Sequence, residues 1–213
     1  QKGISLCGIQ RDQTTADFSD QDIWPPDAIL LASDLSQAVV TGGLTELSIS
    51  RNCVGDEGVG AICEAIKSNK ETKLASLNFG NNGIGLVGAN TVAAMVAVTG
   101  GLMSLNLSSN HIGGYWDDDQ AEIVFTPEGP KAIADALLVN GGLTSLNLSS
   151  NQLCGLDYCG RGTYTAEGIT AIANAMLVNG SLTVTNLLGN RLDAESAKML
   201  AEVAKQKGIS LCG

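Results

Sequence analysis

The chain has 213 residues, 16% of them charged and 44% apolar, with a formal net charge of −10. That balance argues against nucleic acid, whose phosphate backbone demands clustered Lys and Arg. It favours a basic or neutral partner, although an acidic surface also keeps a repetitive protein soluble. The sequence has no apolar run long enough for a membrane-inserted helix.

The chain opens with residues 1–8, QKGISLCG, and residues 206–213 repeat them unchanged, 205 positions later. Such identity predicts a superrepeat, with residues 1–213 as slightly more than one unit of a longer array. The absence of a targeting signal therefore carries no weight. Residues 4–9, ISLCGI, fit a strand with Cys7 in a core place, and Cys212 takes that place in the second copy. Both are expected to be small buried apolar residues. After an irregular link, residues 15–23, TADFSDQDI, begin a repeated unit, with Phe18 facing the core. Trp24-Pro25-Pro26 then opens a helix over 27–35, because prolines are well tolerated in a first helical turn.

The unit becomes plain at residues 44–52, LTELSISRN. It returns as LASLNFGNN (74–82), LMSLNLSSN (102–110), LTSLNLSSN (143–151) and LTVTNLLGN (182–190). In the first unit Gln21 stands where these end in asparagine. Consensus leucines should point inward and their neighbours outward. Asn52, Asn82, Asn110, Asn151 and Asn190 should form a structural ladder, each amide offering two donors and an acceptor to loop backbone. A helix follows each motif, with stripes such as Ala61, Ile62, Ala65 and Ile66, or Ala89, Val92, Ala93 and Met95. The turns Thr41-Gly42-Gly43, Thr99-Gly100-Gly101, Asn140-Gly141-Gly142 and Asn179-Gly180-Ser181 are expected to close the helices through left-handed glycine.

The pattern L-x-x-L-x-L-x-x-N resembles a leucine-rich repeat, and the Gly-x-x-Ala-Ile-Ala-x-Ala-Leu helix resembles the ribonuclease-inhibitor-like subtype. The resemblance implies an α/β fold: a right-handed leucine-rich-repeat solenoid, a horseshoe or arc with a parallel concave β-sheet and outer helices. Residues 1–213 would form one solenoid of about six repeats and a partial one. Binding of protein partners and an intracellular habit are also what the resemblance implies, while the lack of a long apolar run argues against membrane insertion.

Two adjacent units depart from the pattern. Gly58 and Gly88 lie six positions after Asn52 and Asn82, but Gly129 lies nineteen positions after Asn110 and Gly168 seventeen after Asn151. Inserts thus occupy the same place, at 113–125 and 154–164, and rejoin alike as FTPEG and YTAEG. Thr126 and Thr165 are expected helix caps, as is Asp193 in the next unit. The inserts hold Tyr115, Trp116, Phe125, Tyr158 and Tyr164, five of the chain's eight aromatics, together with Asp117, Asp118 and Asp119. Insertions in a solenoid emerge on one face, often the binding face. Tyr115, Trp116, Asp117, Asp118, Asp119 and Tyr158 are therefore the candidate partner-binding residues, unless the two inserts only stack on each other.

The outward strand positions are small and polar and lack an aromatic anchor; Glu46 and Arg51 are their charged members and complete the candidate set. Three consecutive aspartates do not match the alternate ligand spacing of a calcium loop, and two cysteines make a poor zinc site. No metal or cofactor is expected. Cys154 and Cys159 can form a local disulfide in an oxidising setting or remain free thiols otherwise. Asn106, Asn147 and Asn179 begin glycosylation sequons, the first two as by-products of the repeat consensus. The only histidine, His111, has no paired nucleophile in a recognisable arrangement. GTPase-activating proteins share this repeat type, yet Arg51 reads as an exposed strand residue and not as a catalytic arginine. The expectation is a non-catalytic interaction or scaffold module that binds through the aromatic inserts. The alternative is a structural spacer, filament or assembly component built from tandem 205-residue units, whose partners are neighbouring copies of itself.

Overall fold

The computed structural model describes residues 4–117 and 122–212, with the backbone alone for 115–117 and 122–123. In chain order the elements are β1 (Thr15–Asp17), α1 (Pro25–Leu35), α2 (Ala38–Thr41), β2 (Glu46–Ser48), α3 (Gly55–Ser68), β3 (Ser76–Asn78) and α4 (Leu86–Val96). There follow β4 (Ser104–Asn106), β5 (Gly114–Asp117), β6 (Glu122–Phe125), α5 (Glu128–Val139), β7 (Ser145–Asn147), α6 (Glu167–Val178), β8 (Val184–Asn186) and α7 (Ala194–Lys207). Strands β1-β2-β3-β4-β7-β8 form one parallel sheet in that order, and β5 pairs only with β6. The central consensus residues stand in register across the sheet, Ala16, Leu47, Leu77, Leu105, Leu146 and Thr185. Successive helices pack on one another from α1 through α3, α4, α5 and α6 to α7. The core lies between these two layers and includes Leu44, Leu47, Ile49, Ile62, Phe79, Leu105, Leu107, Leu148 and Ile172. Each large side chain buried this way contributes roughly 1.5–3 kcal/mol.

The strands are three residues long in the main sheet because a left-handed turn ends each of them. Arg51, Asn81, Ser109, Ser150 and Gly189, each just before a ladder asparagine, all have φ between 55° and 73°. Arg51 is therefore a turn residue and not the exposed strand residue that the sequence suggested. Asn52, Asn110, Asn151 and Asn190 each use both amide groups on backbone. Asn52 Oδ1 accepts from Gln21 N and Ile23 N at 3.1 and 2.9 Å. Asn190 Oδ1 accepts from Asn151 N at 2.8 Å and Leu153 N at 3.3 Å. Asn82 lacks such an acceptor bond, since Asn52 N donates instead to the Asn81 carbonyl. Gln21, in the asparagine place of the first unit, is exposed.

The helix ends differ from expectation. Of the glycines near helix ends, only Gly208, after α7, closes its helix in the left-handed region; Gly42 sits at φ −62°. The turns are instead closed by a second set of buried asparagines. Asn179 Nδ2 donates to Leu137 O and Asn140 O, while its Oδ1 accepts from Ser181 N and Leu182 N. Asn140 makes the equivalent bonds to Val96 O, Gly142 N and Leu143 N, and Asn69 donates to Leu35 O. Asn179 is thus 5% exposed with its amide engaged, so the sequon that begins there is closed to glycosylation.

Thr99 occupies this place in α4's turn and bonds only back to Met95 O. Beside it lies a pocket of about 200 Å³ lined by Ile66, Asn69, Thr99 and Leu102 among others. Thr99→Asn restores the missing rung, with Ile66 O as its acceptor, and should raise stability by about 1 kcal/mol. A urea unfolding curve checks it, and an unchanged or lower midpoint overturns it.

Both copies of the octapeptide also depart from the expected strand. Ile4 and Leu6 are exposed, and Cys7 is half-buried. In the second copy Ile209 is buried, Ser210 makes a single parallel bridge to Val184, and Cys212 is exposed. Neither cysteine is a fully buried core residue. The buried cysteines are Cys63, on the face of α3 that meets the core, and Cys154.

Candidate functional site on the insert rim

Both inserts leave the sheet immediately after a ladder asparagine, so both emerge on the same rim. In the first, β5 and β6 form an antiparallel hairpin with Gly114 opposite Phe125 and Tyr115 opposite Val124. The second is held open by one bridge, Leu156 to Gly162. The two inserts touch. A Cβ at Gly162, where φ is +119°, would lie 2.8 Å from the Phe125 ring, so glycine there lets the ring pack flat against the turn.

The aromatics divide by role. Phe125 serves this contact between the inserts. Tyr164 packs against the core, and its hydroxyl lies 2.8 Å from Ser196 Oγ on α7. Tyr158 is 76% exposed. The side chains of Tyr115, Trp116 and Asp117 lie outside the described residues, as do Asp118 and Asp119 altogether. The disulfide allowed by spacing is not formed. Cys154 is buried in the core and Cys159 is exposed, both as free thiols.

Asp157 shapes the turn that presents Tyr158. Its Oδ1 accepts from Cys159 N and Arg161 N, both at 2.8 Å, and its Oδ2 accepts from Arg161 Nε at 2.7 Å. Burial pushes this carboxyl up, but the Arg161 and Cys159 donors outweigh it and hold the group below its ordinary value of 3.8. A depressed folded value means that the stabilisation is full above 3.8 and is lost as pH falls through the folded value. The Tyr158 resonances should therefore shift toward unstructured values on acidification, and Asp157→Asn should remove that titration. Persistence of the titration in the variant would assign it elsewhere.

An open cleft of about 420 Å³ lies beside Tyr158, lined by His111, Gln152, Leu156 and Arg191 among others. His111, Gln152 and Arg191 each follow a ladder asparagine directly, Asn110, Asn151 and Asn190, so three consecutive repeats place one polar side chain apiece at the same level. That shared offset is the signal by which the sequence could have revealed the cleft. Gln152 Nε2 lies 3.4 Å from His111 Nδ1, and its Oε1 is buried without a partner. Arg191 Nη2 donates to the Tyr158 carbonyl, which ties the insert to the next repeat. A cation, an imidazole and an amide beside apolar Leu156 and an exposed tyrosine make a surface suited to a protein side chain.

Glu46 and Arg51 are not brought to this cleft. Glu46 is exposed at the start of β2, and Arg51 lines a separate open depression on the sheet face with Ser19, Asp20, Asn78 and Asn81. On that face Asn78, Asn106, Asn147 and Asn186 each accept a backbone N–H two residues on, so their carbonyl oxygens are spent on turns. The helix layer carries a further exposed apolar ridge, Val98, Leu138, Val139, Leu177 and Val178. Among the described residues no group of three or more His, Cys, Asp or Glu is placed to hold a metal ion. No described helix is long and apolar enough to cross a membrane.

A family model for the leucine-rich repeat matches residues 44–63 and 102–114. No curated protein matches the sequence. Among solved structures, the chain is similar to the actin-binding site 2 of leiomodin-1, with a TM-score of 0.57 and 22% identity over 85% of this chain and 88% of that one. It is also similar to the C-terminal domain of a Caenorhabditis elegans tropomodulin, with a TM-score of 0.59 and 15% identity over 85% of this chain and 93% of that one.

Proposed function

We propose that this leucine-rich-repeat protein is a non-catalytic module for protein–protein interaction, and that it binds a partner through the rim formed by its two inserts. The observation that carries the reading is the exposed Tyr158 beside the cleft of His111, Gln152, Leu156 and Arg191. Tyrosine and arginine, which both line this cleft, are among the residue types that supply most of the energy in protein interfaces. The reading extends to Tyr115, Trp116, Asp117, Asp118 and Asp119 of the first insert's sequence as further candidate contacts. Helices of eleven to fourteen residues over most of the outer layer also suit the ribonuclease-inhibitor-like subtype.

The similar domain of leiomodin-1 is an actin-binding site, so purified actin is the first probe. Binding should be measured for the wild type, for Tyr158→Ala, for Arg191→Ala, for the pair Tyr115→Ala and Trp116→Ala, and for Glu46→Ala with Arg51→Ala. The rim variants are expected to weaken a true partner at least tenfold, a loss of about 1.4 kcal/mol. The sheet-face pair should change it little. A partner that loses affinity only with Glu46 and Arg51 would overturn the rim assignment.

The identical octapeptides at 1–8 and 206–213 favour a second reading, a scaffold of tandem units joined in series. The mass of the native polypeptide tests it. A value near 21.9 kDa overturns the array, and a multiple supports it.

A further inference from the structure

Over the positions described in both copies of QKGISLCG, 4–7 and 209–212, the two make different bonds, and the atoms they use do not overlap. In the first copy Ser5 Oγ donates to Asp34 Oδ2 at 2.7 Å, Leu6 N to Oδ1 at 2.8 Å and Cys7 N to Oδ2 at 2.9 Å. Ser5 Oγ also accepts from Ile9 N at 2.8 Å. Asp34 belongs to α1 and is fully buried, so these three donors are what a buried carboxylate requires. In the second copy Ile209 N donates to Ala204 O at 2.9 Å and Ser210 N to Thr183 O at 2.8 Å, while Ser210 O accepts from Thr185 N at 2.7 Å. One copy uses the serine hydroxyl and the leucine and cysteine amides. The other uses the isoleucine amide and both backbone groups of the serine.

Burial divides in the same way. Ile4 is 73% exposed where its counterpart Ile209 is 6% exposed. Cys212 is exposed where its counterpart Cys7 is packed partly against the core. Each copy therefore leaves open the contacts that the other one makes.

We propose that a single octapeptide acts as a splice between two units of this sequence. Its isoleucine and serine backbone anchor to α7 and β8 of the preceding unit. Its serine hydroxyl and its leucine and cysteine amides anchor to the Asp34 carboxylate of the following one. The partner at this surface is a second copy of the same unit, joined in series, and the register is set by residues 206–213 of one unit serving as residues 1–8 of the next. This rests on the array reading above and gives it an atomic joint.

The test is a two-unit chain, residues 1–213 followed directly by residues 9–213 of a second unit, with amide hydrogen exchange read at the junction. Ser210, on the side of β8, and Leu211 and Cys212, on the side of the second Asp34, should all be protected together. In the single unit, Leu211 and Cys212 should exchange at least a hundredfold faster. Ser210→Ala at the junction should speed exchange of the Leu211 and Cys212 amides, and of the Ile9 amide that follows, because it removes the hydroxyl's bonds to Asp34 and from Ile9 N and keeps the backbone pairing with β8. Protection of one set without the other overturns the splice, as does a two-unit chain that cannot fold with both units intact. The native mass decides the array separately, so a failed splice in a polypeptide of several units is distinguishable from the absence of an array.

Discussion

Asn110→Ala is expected to lower the free energy of unfolding by about 3–4 kcal/mol, a loss at the upper end for single substitutions. The side chain serves two repeats at once. Its Oδ1 accepts from Asn82 N and Ile84 N at 2.9 and 3.0 Å, and its Nδ2 donates to Phe79 O, Leu107 O and Ser108 O at 3.0, 2.9 and 3.2 Å. All of these groups lie where the strand turns toward the next helix, and water cannot replace the amide because the residue is 1% exposed. Alanine strands them together, and each orphaned buried group costs on the order of 1 kcal/mol or more. Asn110→Asp separates hydrogen bonding from shape. It retains the acceptor but turns a second oxygen toward three carbonyls, so the neutral acid is favoured in the folded state and its pKa rises. A raised folded value places the stabilisation below the ordinary aspartate range and loses it as pH rises. The aspartate variant should therefore be closer to wild type near pH 4 than near pH 8. Denaturant unfolding at both pH values measures this, and a loss below about 1 kcal/mol for Asn110→Ala would mean that the ladder is not what holds the turn.

The asparagines of that ladder were legible because they recur at a fixed offset from leucines whose own spacing fixes which way they point. The second set, Asn69, Asn140 and Asn179, obeys the same logic but was hidden. Asn140 and Asn179 sit beside glycines that suggest a left-handed turn, Asn69 is followed by Lys70 and Glu71 instead, and Thr99 interrupts the series. The glycine after each insert was also visible as a repeated residue, while its purpose was not, since close approach between chains depends on register in three dimensions. The rim cleft shows a similar boundary. That His111, Gln152 and Arg191 follow ladder residues could be read directly, but that they converge beside Tyr158 depends on how the second insert folds back through Asp157 and Arg161. Phe125 and Tyr164 looked equivalent to Tyr158 in composition. Only the contacts of one with Gly162 and of the other with Ser196 set them apart.

Gly129→Ala should destabilise the protein by about 2–3 kcal/mol, although helix propensity alone favours alanine by about 1 kcal/mol in a helix interior. Gly129 lies in the first turn of α5 with an ordinary negative φ, so backbone freedom is not why glycine is used there. A Cβ at this position would be driven into the carbonyl oxygen of Ile112, which belongs to the turn after the Asn110 strand. Backbone cannot yield as a flexible side chain does, so either α5 lifts off the turn or the turn deforms, and the ladder bond from Ile112 N to Asn151 is then put at risk. Two equivalent glycines also meet unyielding neighbours, Gly58 the Ala28 Cβ at 2.9 Å and Gly168 the Leu153 carbonyl oxygen at 2.9 Å, whereas Gly88 meets the ends of the Asp56 and Ile84 side chains. Gly60, inside α3, supplies the control, because a methyl group there would meet nothing within 4 Å. Gly60→Ala should stabilise by about 0.5–1 kcal/mol through helix propensity and the lost freedom of the unfolded chain. Opposite signs for the two substitutions in urea unfolding would establish that the recurring glycine sets the distance at which each helix rides on the turn before it. Equal signs would refute that, because propensity and unfolded-state entropy act alike at both sites and only the contact with Ile112 differs.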